Sequence, residues 1–191
     1  MGLIISKKNS KMGKIRSVST SPIKGCVPGV PCHKKCYALK SYRMFPNVRK
    51  AWDNNLDLAL NNPFVFFTDL RENLHQEPTE FFRWFVSGDI PNQTFYNEMC
   101  NCASDFLHTK FLVFTKNHTL DFSRMPKNLT VIASMWPNWG DETIKLRKAW
   151  VQDGTENRVP STAMYCSGHC ESCGLCWYLP ELARDVVFGI H

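Results

Sequence analysis

The sequence lacks any apolar segment long enough to cross a bilayer. Its longest apolar runs, such as Phe111–Phe114, span only a few residues, whereas a transmembrane helix needs about 20. The N-terminus also lacks the apolar core of a secretory signal peptide, because Leu3–Ile5 is followed closely by the basic Lys7 and Lys8. The chain has no internal repeat and no low-complexity segment. These absences predict a cytoplasmic protein with no membrane partner.

The sequence also lacks the even, spread-out set of cysteines that is typical of a secreted disulfide framework. It has nine cysteines, an odd number, and most of them fall in two short groups. In a reducing compartment such thiols are available to bind metal. With 191 residues, of which 43% are hydrophobic and 13% aromatic, residues 1–191 are expected to form one globular domain without disulfides.

Residues 165–177 hold the denser cysteine group. Its thiols are spaced C-x3-C-x2-C-x2-C and belong to Cys166, Cys170, Cys173 and Cys176. Short Cys-x-x-Cys loops direct successive sulfurs at one centre, as in iron–sulfur and zinc sites. Gly168 and Gly174 agree with this interpretation, because a chain that bends tightly around a metal needs residues that tolerate positive φ. The four-cysteine group therefore predicts a closed, mainly structural metal site.

The second group lies in a loop rich in proline and glycine and is spaced C-x5-C-x3-C, at Cys26, Cys32 and Cys36. Three thiols are one short of a closed tetrahedral set, so either a fourth ligand comes from elsewhere or one metal position stays open for a substrate. His33 is a candidate fourth ligand, and the alternative is a solvent-exposed loop histidine. Thiolate-only groups of three and four favour [4Fe-4S] clusters, one or two in number, over zinc.

Basic residues are concentrated in an N-terminal arm, residues 1–14, which either contacts phosphate or is merely solvated. The formal net charge of the chain is +6. Two clusters held by four and three thiolates would add roughly −2 and −1 and leave about +3. A nucleic-acid partner is therefore open, but net charge alone does not indicate one, and the oligomeric state is not predicted.

The periodicity of the apolar residues predicts alternating strands and helices. Helices are expected at Val48–Leu60, Phe64–His75, Thr94–Asp105 and Glu142–Val151. Strands are expected at Ile15–Ser19, Phe81–Val86, Lys110–Thr115, Asn128–Ser134, Thr162–Tyr165 and Asp185–Ile190. Such alternation indicates parallel βαβ units. Since about five to six strands are too few for a closed eight-stranded barrel, the predicted fold class is α/β, a partial or open (βα) barrel with cysteine-rich loops.

In such folds, functional residues collect at the carboxyl ends of the strands. This rule brings four segments together around one mouth, namely Cys26–Cys36, Ser87–Asp89, Thr115-Lys116 and Ser134–Trp136. Asp89 is interpreted either as a functional carboxylate or as a turn or helix N-cap residue.

Three other features are open to a metal or ligand interpretation. Cys100 and Cys102 face different directions on a predicted helix and are interpreted as core or surface thiols. Trp136 and Trp139 either stack a base or pack under their loop. His169 lies beside Cys170, and we expect it to point away from the metal.

Three segments carry a resemblance to a known family: Cys32–Ala38, the Ser87-Gly88-Asp89 turn, and the terminal cysteines with Trp177. Through them the sequence resembles the phage gene product 88 family over nearly its whole length. That family resembles, more distantly, the radical S-adenosylmethionine (SAM) proteins, which are partial or full βα barrels with a three-cysteine [4Fe-4S] cluster after the first strand. The resemblance implies that Cys26, Cys32 and Cys36 hold a cluster whose open iron binds SAM. It also implies that Ser87, Gly88 and Asp89 bind the amino group of SAM.

Two classes of function follow from these patterns. The first is an iron–sulfur protein, radical-SAM-like and with enzymatic activity left open, that binds SAM or another small molecule on an open iron. The second is a non-enzymatic module in which clusters or zinc brace a nucleic-acid-binding or regulatory protein. No catalytic side chain is identified in either case. If the chain is phage-encoded, the expected location is the cytoplasm of a bacterial host.

Overall fold

The computed structural model describes residues 2–9 and 11–189. The strands are β1 Arg16–Val18, β2 Phe81–Trp84, β3 Lys110–Thr115, β4 Leu129–Met135, β5 Arg147–Gln152, β6 Met164–Tyr165 and β7 Val186–Gly189. The helices are α1 Ala38–Met44, α2 Pro46–Asn61, α3 Pro63–Gln76, α4 Gln93–Asp105, α5 Cys170–Cys173 and α6 Leu179–Leu182, with 3-10 turns at Pro31–Lys35 and Leu175–Tyr178.

The strands form one seven-stranded sheet in the order β1-β2-β3-β4-β5-β7-β6. Every neighbouring pair is parallel. Strands β1 and β6 are the two edges, so the sheet is open and does not close into a barrel. The predicted open α/β class is confirmed, with seven strands rather than five or six.

Helices α2, α3 and α4 cover one face of the sheet. On β2, Phe82 and Trp84 are fully buried there, and the Trp84 ring stacks on Phe66 of α3 with centroids 6.4 Å apart. Side-chain caps fix where two of these helices begin. Asn62 accepts a hydrogen bond from the backbone N–H of Val65 at 3.4 Å, and Asn92 accepts one from Phe95 at 2.9 Å.

The chain segment that carries the four-cysteine group covers the opposite face. This second core contains Leu112, Ile132 and Trp177, with Cys166, Cys170 and Cys176 packed against it. The indole N–H of Trp177 donates to the Phe82 carbonyl at 3.2 Å, and the Thr130 hydroxyl donates to the Trp177 carbonyl at 2.9 Å. These bonds attach the segment to the middle of the sheet.

The N-terminal arm also packs against the domain. Ser6 forms an antiparallel bridge with Ser17 of β1, and Met12 is buried. Lys7 forms an exposed ion pair with Glu77 at 2.6 Å, so part of the positive charge of the arm is matched within the chain. None of the described helices is long and apolar enough to cross a membrane.

The prediction of a helix at Glu142–Val151 is wrong. Residues 147–152 instead form β5, which pairs in parallel with β4 and β7. Ala149 and Trp150 are both buried, but they belong to different core clusters because successive strand residues point to opposite faces. The last predicted strand is β7, Val186–Gly189, and Ile190 lies outside the described residues.

Candidate metal centre

The three-cysteine loop lies beside the Ser87–Asp89 turn at the carboxyl edge of the sheet. The backbone N–H of Thr20 donates to the Ser87 carbonyl at 2.9 Å, and that of Asp89 donates to the Gly25 carbonyl at 2.7 Å. Gly25 directly precedes Cys26. The two loops are therefore neighbours, as the rule of parallel strand ends predicts.

Close backbone approach explains the glycine in this turn. Gly88 has a φ of +91°, and a Cβ there would overlap the Thr20 hydroxyl. Phe85, at the end of β2, has a φ of +49°, which is uncommon for an aromatic residue and turns the chain sharply toward Ser87. Local strain and a required glycine thus fix the position of the Ser87–Asp89 turn.

Asp89 is a buried carboxylate that joins the ends of β2 and β3. It accepts hydrogen bonds from the Thr115 hydroxyl at 2.6 Å and from the backbone N–H groups of Ile90 at 2.8 Å and Lys116 at 2.7 Å. Burial raises the pKa of Asp89, and the charge of Lys116 and these hydrogen bonds oppose the rise. The N-cap of α4 is Asn92, so Asp89 does not have the predicted alternative role of a helix N-cap.

The residues Cys26, Cys32 and Cys36 are all partly buried. Burial raises the pKa of Cys26 to about 11, and the positive charge of Lys116 opposes this rise for both Cys26 and Cys32. His33 is half-buried, and its Nε2 atom is buried without a hydrogen-bond partner among the described residues. His33 is therefore not a fully solvent-exposed loop histidine.

The four thiols of Cys166, Cys170, Cys173 and Cys176 all line one small apolar pocket. Gly168 and Gly174 have φ values of +80° and +60°, which confirms the positive φ predicted for both. The backbone N–H of Cys166 donates to the Val187 carbonyl at 2.8 Å, and that of Cys170 donates to the Lys11 carbonyl at 3.1 Å. Burial raises the pKa of Cys176 to about 12.

The donors of the four-cysteine group fit an iron–sulfur cluster in kind and in number. Their pocket measures about 30 Å³, so a cluster would have to displace its walls outward. Within residues 2–9 and 11–189, no three His, Cys, Asp or Glu side chains are gathered into a site for a single metal ion. All nine cysteines are free thiols.

Arg83 of β2 is a candidate site residue that the sequence patterns did not single out. Its guanidinium carbon lies 4.5 Å from the ring centroid of Phe114, and its Nε atom is buried without a hydrogen-bond partner among the described residues. The positive charge of Arg83 lowers the pKa of Cys170 and Cys176, in opposition to burial. The available signal was a single charge inside the apolar stretch Phe81–Phe85.

The remaining candidate residues are two buried cysteines, two loop tryptophans and one exposed histidine. Cys100 and Cys102 are residues of α4 whose side chains are buried in the core. Trp139 pairs with Trp136 through the backbone, and its ring lies 5.1 Å from that of His118, centroid to centroid. His169 is exposed at the rim of the four-cysteine pocket.

The fold and these two groups define an open, parallel α/β protein with cysteine-rich segments at the carboxyl edge and on one face of its sheet. The family model described as Gene product 88 matches residues 7–179. The chain belongs to the Gene product 88 family. Comparisons with curated proteins and with solved structures give no match.

Proposed function

We propose that the protein binds iron–sulfur clusters. The observation that carries the proposal is that four free thiols, Cys166, Cys170, Cys173 and Cys176, line a single apolar pocket packed against the sheet. A structural [4Fe-4S] cluster needs four thiolates in a setting of this kind. The reducing cytoplasm of a bacterial host would keep these thiols available.

We also propose that Cys26, Cys32 and Cys36 hold a second cluster. With one metal position not filled by a cysteine, such a cluster would supply an electrophilic iron for a small-molecule ligand. SAM is the ligand that the radical-SAM resemblance suggests, and the enzymatic role rests on that suggestion. Ser87, Gly88 and Asp89 then form the neighbouring wall, supported by the hydrogen bond between Asp89 and Gly25.

A cavity of about 290 Å³ next to Cys26 offers room for part of such a ligand. It lies at the lower end of the range for small-molecule sites. Leu56, Ala59 and Leu60 of α2 supply aliphatic walls, and Asp89 and Thr20 supply polar ones. The Thr20 hydroxyl is buried without a hydrogen-bond partner among the described residues, so a ligand would give it one.

SAM added to the reduced protein is expected to change the spin signal of the cluster. Thr20→Val should weaken this response about 10-fold, because the polar group of the ligand that bonds to the Thr20 hydroxyl would then be buried without a partner, which costs about 1–3 kcal/mol. The melting temperature should change little, since the substitution keeps the shape of the side chain and breaks no hydrogen bond within the protein. Titration of the signal with SAM measures both affinities.

Thr155→Val is the matched control, because the Thr155 hydroxyl donates to the exposed Asp153 at 2.7 Å and neither residue lines the cavity. A spectrum unchanged by SAM, and by simple carboxylates and amines, would mean that the first site is closed. His33→Gln would then show whether the buried Nε2 atom supplies the fourth ligand. If the spectrum of this variant becomes sensitive to added SAM, carboxylates or amines, His33 is the fourth ligand. If the spectrum stays unchanged, His33 is not a ligand.

A non-enzymatic role is the second candidate, with metal bracing a regulatory or nucleic-acid-binding module. The exposed side chains of Lys7, Lys8 and Lys14 in the N-terminal arm favour it. Phosphate contacts by such residues give binding that weakens steeply with salt. Salt-dependent binding of duplex DNA or RNA that is lost in a Lys8→Glu, Lys14→Glu variant, with no response to SAM, would select this candidate over the first.

A further inference from the structure

We propose that each cysteine group has its own charge-compensating cations, Arg83 together with Lys11 for the four-cysteine group and Lys116 for the three-cysteine group. These side chains would control how tightly each group holds its metal and how easily it is reduced. The proposal rests on the proposed function only in that both groups bind metal. It holds for iron or zinc, because four thiolates around a [4Fe-4S]²⁺ cluster or around Zn²⁺ both carry a net charge of about −2.

Arg83 is placed to serve the four-cysteine group. Its guanidinium stacks on Phe114, which packs in the same core cluster as Cys170 and Cys176. In the described part of the chain, no acidic side chain forms an ion pair with Arg83. Burying part of a cation without a counter-charge has an unfavourable desolvation free energy, which lowers the stability of the folded protein. A metal–thiolate group beside it would supply that missing negative charge.

A second cation faces the same group. The ammonium nitrogen of Lys11 lies 4.9 Å from the ring centroid of Phe188, another member of this cluster, and its charge also opposes the raised pKa of Cys170. Arg83 and Lys11 together match a net charge of about −2. Glu171 is the nearby acid, and its carboxylate accepts a hydrogen bond from the backbone N–H of Lys14 at 3.1 Å.

Lys116 is placed to serve the three-cysteine group. Its backbone N–H donates to Asp89, and the backbone N–H of Asp89 donates to Gly25, so β3 ends next to Cys26. Asp89 is the acid that faces Lys116, but its carboxylate already accepts three hydrogen bonds. The Lys116 side chain forms no ion pair with any described acid. A three-thiolate cluster, with a net charge of about −1, needs one such cation.

Competition with a chelator tests the assignment in anaerobically purified full-length protein. Metal release should occur in two phases, and the phase that persists when Cys26, Cys32 and Cys36 are all changed to Ser belongs to the four-cysteine group. Arg83→Met should weaken that phase about 10- to 100-fold, the usual effect of losing a residue that supports metal ligands. Arg83→Lys should retain most of the affinity, and Lys116→Met should weaken only the other phase.

Lys110→Met is the matched control, because Lys110 stacks on Tyr178 on the same face of the sheet but pairs with Glu181. It should change neither phase. If the metal is iron, the reduction potential of the affected cluster should also fall, since a lost positive charge disfavours the added electron. The proposal is overturned if Arg83→Met weakens both phases equally, if Arg83→Lys is as harmful as Arg83→Met, or if Lys110→Met matches them. Protein that contains metal but shows any of these results refutes this assignment and leaves metal binding intact.

Discussion

Single replacement of Cys176 by Ala is expected to leave little soluble, folded protein. Cys176 belongs to the four-cysteine group, which covers one face of the sheet, so loss of the proposed metal would also loosen the second core. Binding at a structural metal site contributes directly to folding, on the order of 10 kcal/mol for zinc-finger peptides. That is comparable with the whole stability of a typical domain, about 5–15 kcal/mol. Soluble yield, metal content and thermal melting measure the effect.

Cys102→Ala is the control for the loss of a buried thiol as such. Cys102 is a fully buried residue of α4, outside both cysteine groups, and its replacement should cost only about 1 kcal/mol of packing energy. Replacement of Cys166, Cys170 or Cys173 by Ala is expected to have the same effect as Cys176→Ala. If any of these variants is soluble, melts normally and keeps its full metal content, the closed four-thiolate site is excluded, and that cysteine is dispensable.

Asp89→Ala should be the most damaging substitution outside the cysteines. It would leave three donors without an acceptor: the Thr115 hydroxyl and the backbone N–H groups of Ile90 and Lys116. An unsatisfied buried group costs about 1–3 kcal/mol, so we expect a total loss of about 3–5 kcal/mol. At about 2–4 °C per kcal/mol for a chain of this size, thermal melting should show a decrease of roughly 10 °C.

Asp141→Ala is the matched control for Asp89. Asp141 accepts similar bonds from the backbone N–H of Thr143 at 2.8 Å and from its hydroxyl at 2.6 Å, but in an exposed loop where water can replace them. Its melting temperature should therefore stay within about 2 °C of the parent, since exposed substitutions cost about 0.5 kcal/mol. Equal melting of the two variants would show that Asp89 is not the buried link between β2 and β3, and that its carboxylate is free for a ligand.

Sequence patterns predicted the sheet well where the apolar residues are dense. Lys110–Thr115 is a strand with the predicted bounds, because four apolar residues in succession fit a strand covered on both faces. The same reasoning failed at Glu142–Val151, where Ala149 and Trp150 lie in β5 instead of a helix. There the pairing with two neighbouring strands outweighs local periodicity, and no local pattern reports on that pairing.

Spacing alone predicted the four-cysteine group, whose members all line one pocket. The meeting of Gly25 with Asp89 followed from the common edge of parallel strands. Arg83 could not be assigned to the four-cysteine group in this way. Arg83 and the four cysteines are distant in sequence and come together only because the C-terminal segment folds back over β2. The roles of buried atoms such as the Thr20 hydroxyl likewise depend on packing between distant segments.

Iron, zinc and acid-labile sulfide measured in anaerobically purified protein test the proposed clusters most directly. A brown protein with iron and sulfide in nearly equal amounts, about four or about eight of each per chain, is the expected result for one or two [4Fe-4S] clusters. Colourless protein that contains zinc in stoichiometric amount and no acid-labile sulfide would contradict iron–sulfur binding and leave zinc bracing in its place.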